Sequence, residues 1–101
     1  MSMAVLEKQF NITPEDKAEV LEKYFGSDGQ MLIQAFPPKE KRKIIIMEKI
    51  MDDFEVDRDY SEKEVNQIIA RYYSDFVTVR RYLIQYKFMD RVKDGSRYWV
   101  V

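Results

Sequence analysis

The chain predicts an α+β fold in which a pair of amphipathic helices joined by a tight turn is followed by a β-hairpin, and three observations carry that reading. Ser61 followed by Glu64 is a capping box, because the serine oxygen can accept from the backbone N–H three residues on while the glutamate reaches back to the cap's own N–H. Behind it, Val65, Ile68, Ile69 and Tyr72 fall at i, i+3, i+4 and i+7, and after a break at Ser74-Asp75 a second stripe follows in Phe76, Val79, Leu83 and Tyr86. Asp94-Gly95 then separates two β-prone runs, 88–93 and 96–101, which is a strong short hairpin signal.

In chain order, Met3, Leu6 and Phe10 sit at i, i+3 and i+7 and suggest a short helix or a docking segment. Thr13-Pro14-Glu15-Asp16 is a firmer start: a threonine cap, proline at the first helical position, and acids where the helix dipole favours them. Ala18, Leu21, Tyr24 and Phe25 are expected to share its inner face. Gly26-Ser27-Asp28-Gly29 ends it. Residues 30–36 read as a short strand closed by Pro37-Pro38.

A basic helix over 39–54 should bury Ile44, Met47, Ile50, Met51 and Phe54 on one arc. Ile45 and Ile46 lie off that arc and need a cover, which the amphipathic helix of residues 13–25 can supply. Helix, short strand at Asp59-Tyr60, helix, turn, helix, hairpin is the winged helix-turn-helix order. The expected organisation is therefore one domain, with residues 1–36 as an N-terminal helix and strand packed on a winged-helix core of residues 37–101.

Tyr60-Ser61-Glu62-Lys63-Glu64-Val65-Asn66, the run from Asp75 to Leu83, Gly95-Ser96-Arg97-Tyr98-Trp99, and Phe36-Pro37-Pro38-Lys39 with Lys41-Arg42-Lys43 give the chain a further likeness. In these it resembles the bacterial domain of unknown function 2087 family. The likeness covers roughly residues 26–101. The resemblance implies a small winged-helix-like domain, found alone or joined to regulator-type DNA-binding domains, with no established activity. Separately, Thr78-Val79-Arg80-Arg81-Tyr82-Leu83 is similar to the recognition-helix run of GntR-type regulators, from which this chain departs at Asp75 and Phe76.

Composition narrows the function classes. The 101 residues contain no Cys and no His, so there is no disulfide framework and the commonest catalytic base and metal ligand is missing. Hydrolysis would have to rest on paired carboxylates, and those in an exposed loop lack the burial that raises a pKa for acid catalysis. No enzyme activity and no cofactor are expected. Asp53, Glu55, Asp57, Asp59 and Glu64 mimic the ligand spacing of a calcium loop, but Arg58 stands where that loop needs glycine, so no metal is expected either. Without a signal-peptide-like or membrane-spanning apolar run, the expected location is cytoplasmic and no membrane partner is expected.

Charge is segregated: residues 71–101 carry seven Lys/Arg against three Asp, whereas 51–70 carry two against seven acids. The outward face of the second helix presents Thr78, Arg81 and Gln85, with Arg80 nearer the buried arc, and the hairpin adds Arg91, Lys93 and Arg97. These are the expected DNA-binding residues, of types that reach phosphates or base edges in a major groove. The structural alternative is that Arg80 or Arg81 pairs with Glu62 and Glu64 and locks the two helices. Among the aromatics, Tyr73 and Tyr82 are expected outside the core, where tyrosine favours a protein interface. The expected function is non-enzymatic DNA binding in transcriptional regulation, with a homodimer compatible with it. The alternative is a module docking an acidic protein partner without DNA, which suits a formal net charge of -1.

Overall fold

A computed structural model describes residues 3–31 and 35–101, with the side chains of residues 3 and 4 left aside. Among them are five helices and one three-stranded antiparallel sheet: α1 (Met3–Gln9), α2 (Pro14–Tyr24), α3 (Glu40–Met51), β1 (Asp59–Tyr60), α4 (Glu62–Ala70), α5 (Phe76–Gln85), β2 (Met89–Arg91) and β3 (Tyr98–Val100). The sheet order is β1-β3-β2. A continuous set of buried apolar residues runs from Leu6 on α1 to Tyr98 on β3.

The expected first stripe is half visible: Leu6 is buried and Phe10 packs against the core, while the Met3 side chain lies outside the described residues. α2 begins with a full capping box, in which Asp16 N–H donates to Thr13 Oγ1 at 3.1 Å and Thr13 N–H to Asp16 Oδ2 at 3.0 Å. Of its expected face Tyr24 and Phe25 are buried, and the other half is corrected. Val20 and Tyr24 are buried, whereas Ala18 and Leu21 are exposed. The helix is rolled by polar contacts to α3: Lys41 pairs with Asp16 at 3.3 Å, and Arg42 Nη1 donates to the Tyr24 hydroxyl at 3.2 Å. With those residues facing α3, Val20 and not Leu21 points inward, because Asp16, Val20 and Tyr24 recur at i+4.

Of the expected strand at 30–36 the centre, 32–34, lies outside the described residues, and Met31 forms an antiparallel bridge with Phe25. α3 buries Ile44, Met47, Ile50 and Met51, with Phe54 following in a further turn, as the periodicity predicts. Ile45 and Ile46 are buried too, which makes α3 apolar over four consecutive residues. A helix buried on that much of its circumference needs cover on more than one side. α2 packs against α3 and supplies it over Ile45, which borders the same grooves as Val20 and Leu21.

α4 starts at the predicted capping box, with Glu64 N–H donating to Ser61 Oγ at 3.1 Å and Ser61 N–H to Glu64 Oε1 at 3.0 Å. Val65, Ile68 and Ile69 are buried, and α5 returns with Val79 and Leu83 at the core and Phe76 packed against it. β1 pairs on β3 through Asp59 with Trp99 and Tyr60 with Tyr98, and β2 on the other side through Asp90 with Trp99. The hairpin turn is wider than Asp94-Gly95 alone. Val92 N–H donates to Arg97 O, Gly95 N–H returns to Val92 O, and Ser96 N–H donates to Asp94 Oδ1, so four residues, 93–96, make the loop. Gly95 sits at φ +77, where a side chain is disfavoured by its own backbone.

Candidate functional site

Four of the residues expected to face a partner line a groove between α5 and the β2–β3 hairpin, and the others are placed elsewhere. At the start of α5 Asp75 caps the helix, accepting the Thr78 N–H at 3.3 Å and the Thr78 hydroxyl at 2.7 Å. Thr78 is half-buried, and its hydroxyl proton is engaged with the cap. Two residues on, Arg80 is used inside the fold: Nη2 lies 3.2 Å from Glu62 Oε1, Nη1 donates to Asn66 Oδ1 at 2.6 Å, and the side chain is 18% exposed. The structural alternative for this arginine thus holds through Glu62. Glu64 has no part in it, being committed to the Ser61 cap and to Arg58 at 3.1 Å.

Arg81 and Gln85, one helical turn apart, are exposed and line the groove, with Ile84 beside them. Arg91 faces them from β2, its Nη1 donating to the Lys93 carbonyl at 3.3 Å. Lys93 itself stands exposed at the loop. Arg97 points to the other side of the hairpin, where it pairs with Asp59 at 3.5 Å and stacks over Trp99 at 5.1 Å. Of the seven expected residues, the groove therefore brings together Arg80, Arg81, Gln85 and Arg91; Lys93 lies next to it, and Thr78 and Arg97 do not line it.

The sequence reading set Glu62 beside an arginine but did not join it to Tyr98. Glu62 accepts from Arg80 and from the Tyr98 hydroxyl, the latter at 3.1 Å, so one carboxylate joins α4, α5 and β3. Burial, with Glu62 adding to it, pushes the Tyr98 phenol above its ordinary value. Nothing local in the chain announces this, because 36 residues separate Glu62 from Tyr98. The groove holds three guanidinium groups against one carboxylate, an arrangement that attracts anions.

The acids of residues 53–64 are dispersed by their partners. Asp53 accepts the Tyr72 hydroxyl at 2.8 Å and lies 3.7 Å from Arg71, Glu55 lies 3.9 Å from Arg58, and Asp59 pairs with Arg97. Among the described residues no three His, Cys, Asp or Glu side chains converge as metal ligands would. The tyrosines also differ from expectation. Tyr73 is buried and meets Phe36 edge-to-face at 5.4 Å, while Tyr82 is half-buried between Phe36 and Tyr86 with Lys43 Nζ 4.7 Å over its ring. Phe36, 37 residues upstream of Tyr73, is what draws both inward. Among the described residues no helix is long and apolar enough to cross a membrane.

What these elements define is an α+β protein in which a capped helix pair and a small antiparallel sheet enclose a cationic groove. The chain belongs to the family described as "Uncharacterized protein conserved in bacteria (DUF2087)", whose pattern matches residues 32–100. No curated protein and no solved structure matches the chain. α1 and α2 lie before the matched region.

Proposed function

We propose that the chain is a non-enzymatic winged-helix domain that binds duplex DNA, with α5 toward the major groove and the β2–β3 hairpin as the wing. The order α3, β1, α4, α5, β2, β3, with β1 added to the hairpin strand β3, supports the winged-helix reading. The observation that carries the DNA reading is the facing of Arg81 and Gln85 on α5 by Arg91 on the hairpin across one groove. Arginine and glutamine one turn apart can reach phosphates or base edges, and Arg91 with Lys93 would follow the backbone. Arg80 then acts as scaffold, setting the angle between α4 and α5 from beneath. A role in transcriptional regulation is the use such a surface would serve.

The test is salt-dependent binding to labelled mixed-sequence duplexes. Phosphate contacts release counterions, so log K should fall linearly with log salt, and the double substitution Arg81→Ala with Lys93→Ala should flatten that slope by roughly two units. Absence of affinity at low salt would remove the DNA reading. The alternative then stands, a winged-helix module whose exposed Arg81, Arg91 and Lys93 dock an acidic patch of a protein partner.

A further inference from the structure

We propose that Glu7, Lys17 and Glu48 form a proton-operated clasp that holds α1 against α3. Glu48 stands in the last turn of α3 with its side chain 11% exposed, and its Oε2 lies 3.7 Å from Lys17 Nζ of α2. Lys17 is in direct contact with Glu7 of α1 as well. One ammonium thus serves two carboxyl groups from two different helices. Among the described residues the second oxygen of Glu48, Oε1, is buried without a hydrogen-bond partner.

A buried acceptor with no donor is costly, and so is a second negative charge beside the first. A single proton relieves both. It turns the orphaned oxygen into a donor, and it leaves one carboxylate for one lysine. Other charges around the cluster are already matched: Lys49 and Asp52 on α3 lie 3.8 Å apart, and Asp16 on α2 is engaged with Lys41. Lys8 on α1 is exposed.

The proton belongs on Glu48. Burial, then the charge of Glu7, raise its pKa to about 7 against the opposing pull of Lys17, whereas Lys17 holds Glu7 below the ordinary carboxylate range. The folded protein therefore binds one more proton than the unfolded chain between pH 4.5 and about 7. That contribution is present at pH 4.5 and below, and it is lost as pH rises through about 7. α1 carries Leu6 onto the core and Phe10 follows directly after it, so a loosened α1 uncovers apolar surface. The clasp also spans a boundary: Glu7 and Lys17 precede the family-matched residues and Glu48 lies within them.

Carboxyl NMR titration of the full chain, together with amide exchange in α1 corrected for intrinsic rate, tests this. Glu48 should titrate with a midpoint near neutrality, and α1 protection should fall about tenfold between pH 6 and pH 8, the ratio given by one group titrating at about 7. In Glu48→Gln, a standing mimic of the protonated acid, α1 should stay protected at pH 8 and lose that dependence. A Glu48 midpoint in the ordinary carboxylate range, or the same dependence in Glu48→Gln, overturns the proposal. Should Glu48→Gln fail to fold, Glu7→Gln serves: the Glu48 midpoint should move down, and an unmoved midpoint sinks the shared-proton clasp.

Discussion

Arg80 and Glu62 meet at 3.2 Å, and through that pair α5 is tied to the first turn of α4. The neighbouring arginine, Arg81, carries the same charge one residue further and faces solvent. Since successive helical residues are about 100° apart, the two can serve different ends.

Arg80→Ala should therefore destabilise the domain, by about 1–2 kcal/mol, because it takes charged donors from Glu62 and Asn66 in a half-buried setting. Arg81→Ala should change stability by less than about 0.5 kcal/mol. Urea midpoints measure both. Equal losses would mean that Arg81 is scaffold too, and would weaken its assignment to a binding surface.

Removing the α4 cap is the second prediction. Ser61→Ala should cost about 1 kcal/mol by leaving the Glu64 N–H without its acceptor. Glu64 has its pKa lowered, first by the Ser61 backbone N–H, so the stability it contributes is present above its ordinary value of 4.5 and is lost as pH falls through the folded value. Acid denaturation of Glu64→Gln should lack that component. An unchanged Ser61→Ala midpoint would show that α4 does not depend on its box.

Tyr72 supplies the third. Burial first, then its hydrogen bond to Asp53, push its phenol up to about 12. A phenol held protonated by the fold contributes stability that is present below pH 10 and is lost as pH rises through about 12. Ultraviolet titration should show a late tyrosine step that Tyr72→Phe abolishes. Retention of that step in the variant would assign it elsewhere.

The fourth concerns the cover over α3. Deleting residues 1–25 should expose Ile45 and bring aggregation or dye binding, since α2 packs on that face. Point substitutions sharpen it: Val20→Ala should cost about 1–3 kcal/mol and Leu21→Ala less, because only Val20 is buried. The reverse ranking in thermal melts would mean that α2 sits rolled by about one residue from the arrangement described.

Elements whose determinants are contiguous were legible. The box at Ser61 and Glu64, the proline-led start of α2 and the inner faces of α4 and α5 all rest on residues at most a few positions apart, and each appears where its chemistry requires. The separation of Arg81 from Arg80 on the helical wheel was legible for the same reason. Gly95 marked the hairpin, but the width of the loop was set by the Val92–Arg97 pairing, which depends on register and not on turn residues alone.

What the tertiary structure decided are partnerships across long stretches of chain. Only packing could select Glu62 for Arg80 and Tyr98, turn Tyr73 inward against Phe36, roll α2 so that Val20 replaces Leu21, or bring Glu7, Lys17 and Glu48 to one site. Helix periodicity states which residues share a face; it does not state which of two adjacent stripes a neighbour will cover, or which acid a given arginine will meet. Local hydrogen-bond chemistry and the 3.6-residue repeat determined the elements of this protein by themselves, and side-chain partners many residues apart, chosen when those elements packed, determined its groove and its buried charges.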